Sequence, residues 1–242
     1  MFERIKARGF QVLTLHHAEA ILEHDIAAAV TELEDVLLEV SIPVEELVHG
    51  GGGEGELTQR IRRGLADKHG WKKHIFEIKK TVDGVEKESI THEIDHVKQF
   101  PGGTFALEIE WNNKDPFYDR DLENFKRLHA DGVISVGAIV TRGTSLHEGM
   151  KDLVEAFARK KGLDTIDKVA AYYTPTPRQR ELIERAAASK GSFAQGWAHA
   201  FVSDKFGEAT THWRKLEDRV HRGVGNPCPL LLIGIPRDVV VI

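Results

Sequence analysis

HEIDHVKQFPGGTFALEIEWNNKDPFYDR, residues 92–120, is the stretch whose reading decides the fold. Residues 104–111 read as a strand. Strand side chains alternate faces with period two. Phe105, Leu107, Ile109 and Trp111 therefore share one wholly apolar face, while Thr104, Ala106, Glu108 and Glu110 share the other. The apolar face belongs on a core, which leaves the two glutamates side by side on the opposite face. Phe100-Pro101-Gly102-Gly103 reverses the chain, so the preceding strand, carrying Asp95, runs antiparallel to this one. Three carboxylates then meet at one small site. Close carboxylates repel unless a cation neutralises them, and clustered hard oxygen ligands suit Mg²⁺ or Mn²⁺.

Upstream, residues 71–82 and 85–98 are strand-like runs joined by Asp83-Gly84, and a two-residue Asp-Gly link is the strongest short hairpin signal. A glycine run at 50–53 leads into a helix with Leu57, Ile61 and Leu65 on one stripe, ending near His69-Gly70. Apolar spacing over residues 18–40 predicts a helix with a break near His24-Asp25, stopped by Ser41-Ile42-Pro43. Residues 10–15 have strand character.

Downstream, Asp115 is expected to cap a helix begun by Pro116, with Phe117, Leu122, Phe125 and Leu128 buried and Asp131-Gly132 at its end. Residues 133–141 (VISVGAIVT) are apolar on both faces, as a buried parallel strand is. Ser145 is expected to cap a helix closed by Arg159-Lys160-Lys161-Gly162. Helices are expected near 178–188, 192–202 and 207–221, and strands at 230–235 and 239–242. The class is α/β: helix, three-strand antiparallel meander, helix, parallel strand, with additional N- and C-terminal helices. We expect a single domain over 1–242, with its catalytic core at 50–143 and flanking helical segments at 1–49 and 144–242.

With 41% hydrophobic residues the 242-residue chain can bury a sizeable core. A net charge of −5 argues against a protein that coats nucleic acid non-specifically, but not against a local basic surface. The single cysteine, Cys228, excludes an internal disulfide framework and a cysteine-rich zinc site. There is no long apolar run, and Met1-Phe2-Glu3-Arg4 does not open a signal peptide. The expectation is a soluble, cytoplasmic protein with no membrane partner.

The element order, with an aspartate on the second strand and E-x-E on the third, resembles the PD-(D/E)XK nuclease core. HEIDHVK (92–98), ALEIEWNNKDPFYDRDL (106–122) and VGAIVTRG (136–143) are similar to the BglII-like type II restriction endonucleases. GGGGEGELTQRIRRGL (50–65) and PLLLIGIP (229–236) agree with that likeness. The resemblance implies Mg²⁺-dependent hydrolysis of double-stranded DNA, with Mn²⁺ able to substitute. It further implies a homodimer acting at a short palindrome, and a cognate DNA methyltransferase as genetic partner. Two other readings stay open: a repair or structure-specific nuclease on the same core, and a non-catalytic DNA-binding protein that retains the fold.

By position, the resemblance makes Asp95 and Glu108 metal ligands and places Glu110 at the third catalytic position. Lysine is commoner there. A glutamate would bind a second metal or orient the attacking water. Glu54 either reaches the metal from the first helix or complements that helix's N-terminus. Glu93 shares the strand parity of Asp95 and is an outer ligand or a cross-strand polar partner. His92 and His96, with Ile94, fall on the face opposite Asp95 and read as structural histidines rather than a zinc pair.

Asn112, Asn113 and Arg120 would approach DNA or brace the carboxylates; alternatively Asp119 and Arg120 form a solvated first turn, and for Asp119 a functional role stays equally open. Arg142 and Thr144, at the end of the buried strand, are further candidate DNA contacts. So are Arg178 and Arg180, which lie in a stretch (172–226) with nine basic against six acidic residues.

Overall fold

The computed structural model describes residues 1–49 and 53–242, so of the glycine run only Gly53 lies within the described residues. The chain opens with α1 (Glu3–Ala7) and β1 (Gln11–Leu15). The apolar stretch after it does break where expected, into α2 (Ala18–His24) and α3 (Ala27–Leu38). A two-residue strand, β2 (Ile42–Pro43), and α4 (Val44–Val48) follow. Next comes α5 (Glu56–Arg63), extended by a π-helical turn at Gly64–Lys68, with Leu57, Ile61 and Leu65 all buried.

The Asp-Gly link joins β3 (Lys72–Val82) to β4 (Val85–Phe100). Asp83 and Gly84 both have positive φ, 53° and 76°, as this two-residue turn requires. Pro101 and Gly102 turn the chain into β5 (Gly103–Glu110). Then come α6 (Phe117–Ala130), β6 (Val136–Arg142), α7 (Thr144–Lys161), α8 (Ile166–Val169), α9 (Pro177–Lys190), α10 (Phe193–Lys205), α11 (Trp213–His221), β7 (Leu230–Ile235) and β8 (Val240–Val241).

Six strands form one sheet in the order β1-β7-β6-β5-β4-β3. The strands β5, β6 and β7 run parallel, β3–β4–β5 is an antiparallel meander, and β1 pairs antiparallel with β7. The strands β2 and β8 pair separately, in parallel. Both faces of the sheet are covered, so every residue of β6 and β7 is buried. Phe105, Leu107 and Ile109 join the larger core, with side chains from α3, α5, α7 and α10. Ala106, Ile139 and Leu232 face the other way, under Tyr118, Leu122 and Phe125 of α6 and Leu216 and Val220 of α11. Among the described residues no helix is long and apolar enough to cross a membrane.

Several local expectations are corrected. Pro116, not Asp115, sits at the cap of α6, and no side chain caps it. The Asp115 carboxylate instead pairs with Arg219 of α11, 3.3 Å away. Asp119 is also tied to Arg219, at 2.9 Å, rather than simply solvated. Phe117 is 38% exposed, and Tyr118 takes the buried position. The helix α7 starts at Thr144, and Ser145 Oγ accepts the Arg237 backbone N–H rather than capping. The last helix begins only at Trp213, because residues 207–212 run beside 113–115. There Thr211 N–H donates to Asn113 O (2.8 Å) and Asp115 N–H to Ala209 O (3.0 Å).

Candidate active site

Strand β5 positions the two glutamates, and its register with β4 positions the aspartate. His96 pairs with Leu107, so Asp95 stands opposite Glu108, and its backbone N–H reaches Glu108 Oε1 at 3.4 Å. The face that carries Glu108 and Glu110 is not open, contrary to the expectation that only the other face meets a core. Helices α6 and α11 cover it, leaving Glu108 5% and Glu110 3% exposed. Burial is the main cause that pushes the Glu108 carboxyl up to about 9, with the Asp121 and Asp95 charges adding to it. Burial and Asp121 raise Glu110 as well.

Asp121 is a fourth carboxylate that the strand pattern missed. It lies three residues after Tyr118 on the buried stripe of α6 and is itself raised by burial, which Arg120 opposes. Its Oδ1 accepts from Arg120 Nε at 2.8 Å, while Oδ2 is buried with no partner among the described residues. An acid at i+3 in an otherwise apolar stripe was the available signal. Arg120 also lies 3.6 Å from Glu110 Oε1 and stacks over the Phe117 ring at 4.5 Å. Asn113 Nδ2 donates to Glu110 Oε2 at 2.7 Å. The Thr141 hydroxyl donates to the Glu110 carbonyl at 2.8 Å and meets Tyr118 Oη at 2.6 Å.

Lys73 is the second residue that was missed. A β-bulge between Lys72 and His74 brings it across from Asp95 and His96. Its Nζ is 2.6 Å from Glu93 and 3.6 Å from Asp95. Glu93 is thus engaged by a cross-strand lysine. The bulge also overturns the shared face assigned to the histidines. Ile94 packs under α6 and His92 Nδ1 meets Asn124 Oδ1 at 2.9 Å, whereas His96 pairs with Leu107 of the other core. His96 Nδ1 contacts the Leu107 carbonyl at 3.2 Å, and Nε2 is unpartnered among the described residues.

Asp95, Glu110, Lys73, His96 and Arg120 border a cleft of about 1300 Å³. Asn112 and Asn113 border it too, as does Glu54, held by both oxygens to Arg62 at 3.0 Å. Arg142 is not available to DNA. It is fully buried, its Nη2 donating to Thr211 O (2.7 Å) and Thr210 Oγ1 (2.6 Å), with the guanidinium over Phe206. Thr144 opens α7, with its N–H on Gln11 Oε1 at 2.6 Å. Arg178 and Arg180 lie on α9 and do not line this cleft.

The carboxylates whose charges act on one another here include one orphaned oxygen, donor chemistry that suits a hard divalent cation. No curated protein matches the chain. The family model for restriction endonuclease BglII/BglIII matches residues 10–235. With an α/β sheet in the order that family's resemblance implied, the chain belongs to the BglII/BglIII restriction endonucleases, type II site-specific deoxyribonucleases that bind double-stranded DNA and use a divalent metal.

Proposed function

We propose that this chain hydrolyses phosphodiester bonds of double-stranded DNA at one short sequence, with Mg²⁺ held by Asp95 and Glu108. The observation that carries the reading is the convergence of Asp95, Glu108, Glu110 and Asp121, three of them buried. Burial raises the Glu108 and Glu110 carboxyls, which with the orphaned Asp121 oxygen fits a site whose native partner is a cation. When bound, Mg²⁺ supplies Lewis-acid polarisation of the scissile phosphate and a lowered pKa for coordinated water.

The chain's own groups have distinct parts. Asn113 and Arg120 fix the Glu110 carboxylate, which orients the attacking water or joins a second ion. Asp121 fixes Arg120, and its charge helps raise the Glu110 carboxyl. Lys73 supplies beside Asp95 a positive charge that Glu110 does not. Arg120 and Asn112, on the cleft wall, face the phosphate backbone.

Cutting both strands of a palindrome with one site per chain calls for a homodimer with matching two-fold symmetry. A cognate methyltransferase would protect the host's own sites. The test is digestion of a sequenced plasmid with Mg²⁺, followed by mapping of the ends. Discrete double-strand cuts at one sequence, blocked by methylation there and lost in Asp95→Ala, are expected. Cutting confined to nicks, flaps or lesions would favour a repair nuclease instead.

A further inference from the structure

A second group of ligating side chains lies outside the carboxylate cleft. His147 is in the first turns of α7, Glu208 lies between α10 and α11, and His212 directly precedes α11. One ligand atom from each lies within 4.8 Å of the other two. Glu208 Oε1 is 3.4 Å from His147 Nε2, and Oε2 is 3.7 Å from His212 Nε2. The two imidazole rings stack, with centroids 3.8 Å apart and 7° between planes. His212 is 1% exposed, yet neither of its ring nitrogens has a partner among the described residues, and His147 Nδ1 is likewise orphaned. A buried imidazole with no partner calls for one from outside the chain.

We propose that His147, Glu208 and His212 bind one Zn²⁺ ion, separate from the carboxylate cleft. The spacing supports it: tetrahedral zinc with bonds of about 2.0–2.2 Å has ligand–ligand edges of about 3.3–3.6 Å. The two Glu208 distances are longer than good hydrogen bonds and close to such edges. Two imidazoles and one carboxylate leave a fourth position for water. Imidazole donors select Zn²⁺ over Mg²⁺, which prefers oxygen. Arg142 is near enough to oppose any cation held by charge alone, so metal–nitrogen bonds must hold this one. Parallel rings aim their lone pairs side by side, so binding turns one ring. His147 at the rim, and Glu208, 70% exposed, are the groups free to adjust.

The ion would tie α7 to residues 207–212, the segment hydrogen-bonded to 113–115. Asn113 in turn holds Glu110. The ion would thus brace the segment beside the catalytic strand.

The test is equilibrium dialysis of the full chain against Zn²⁺ with excess Mg²⁺, with the visible spectrum of Co²⁺ as a second readout and thermal unfolding as a third. The wild type should retain one Zn²⁺ per chain, show tetrahedral Co²⁺ bands and melt higher with zinc. The Asp95→Asn/Glu108→Gln protein should do the same, while His147→Gln/His212→Gln should lose all three. His212 is deeply buried, so Glu208→Ala at an exposed position gives a variant that folds, and it too should lose the tightly held ion. No zinc on the wild type overturns the proposal. So does zinc that survives in Glu208→Ala or disappears in Asp95→Asn/Glu108→Gln.

Discussion

Glu108 is the residue on which the electrostatics of the site turn. Its folded-state pKa of about 9 stands above an ordinary value of 4.5, so the folded protein binds a proton there that the unfolded chain releases at neutral pH. The stability associated with that protonated carboxyl is fully present below the unfolded pKa and is lost as pH rises through the folded one. The metal-free melting temperature should therefore fall between about pH 5 and about pH 9. Glu108→Gln keeps an acceptor for the Asp95 N–H and removes the titration. It should flatten that fall and melt higher than wild type at pH 8, while cleavage is lost. Calorimetry across pH tests this, and an unchanged slope in the variant would contradict it. Metal binding has to displace the same protons, so Mg²⁺ affinity should rise over the same pH window.

Asp121→Asn should preserve the contact to Arg120 and remove the charge. We expect cleavage to slow by about 10²-fold with folding intact, the scale of losing one preorganised electrostatic group. Steady-state cleavage rates decide it, and a wild-type rate would remove Asp121 from the site. At this scale the sequence was legible where period two governs: Asp95, Glu108 and Glu110 need only strand parity and a turn. Lys73 was hidden because counting back from the Asp-Gly turn pairs it with Ile94, and two bulges shift it to Asp95. Arg142 was misread because position at a strand end does not reveal burial, and its Nε and Nη2 donate to Thr210 and Thr211, some seventy residues away.

Among elements, the packing of α6 on β6 sets where Asp121 and Arg120 stand. Gly137 makes this contact possible, since a Cβ there would fall 2.6 Å from the Phe125 ring. Gly137→Ala should destabilise by about 1–3 kcal/mol through overpacking, which at about 2–4 °C per kcal/mol lowers the melting temperature by several degrees. It should also slow cleavage, because α6 moves away from Glu110. Urea unfolding measures the first effect, and a stability equal to wild type would show that the helix is not seated as described. The β3–β4–β5 meander was readable from hairpin, turn and alternation signals, but the places of β1 and β7 in the sheet and the β2–β8 pair were not. Helix starts were not: Asp115 and Ser145 both have capping chemistry, but Arg219 and the Arg237 N–H claim them. Gly207 and the turn after it interrupt the helix, and tertiary pairing with 113–115 keeps residues 209–211 out of it.

For the whole molecule, a net charge of −5 and the half-exposed Asp95 carboxylate at the cleft oppose DNA when no cation is present. Each close carboxylate–phosphate pair costs on the order of 1 kcal/mol even in bulk water. Ca²⁺, which accepts looser coordination and polarises water less, should raise specific DNA affinity without supporting efficient cutting. Glu110→Ala should hold or raise the metal-free affinity and lose cleavage. Light scattering should give about 54 kDa, twice the 27.1 kDa chain, at least when cognate DNA is bound. A mass of one chain both free and with DNA would refute the two-fold arrangement.

The most direct measurement is the metal dependence of cleavage at the mapped sequence, in the wild type, Glu108→Ala and Glu110→Ala. The carboxylate site predicts cutting with Mg²⁺ or Mn²⁺, little with Ca²⁺, none with chelator, and none in either variant although both still fold. Cutting by the wild type in chelator, or undiminished cutting by Glu108→Ala with Mg²⁺, would contradict it.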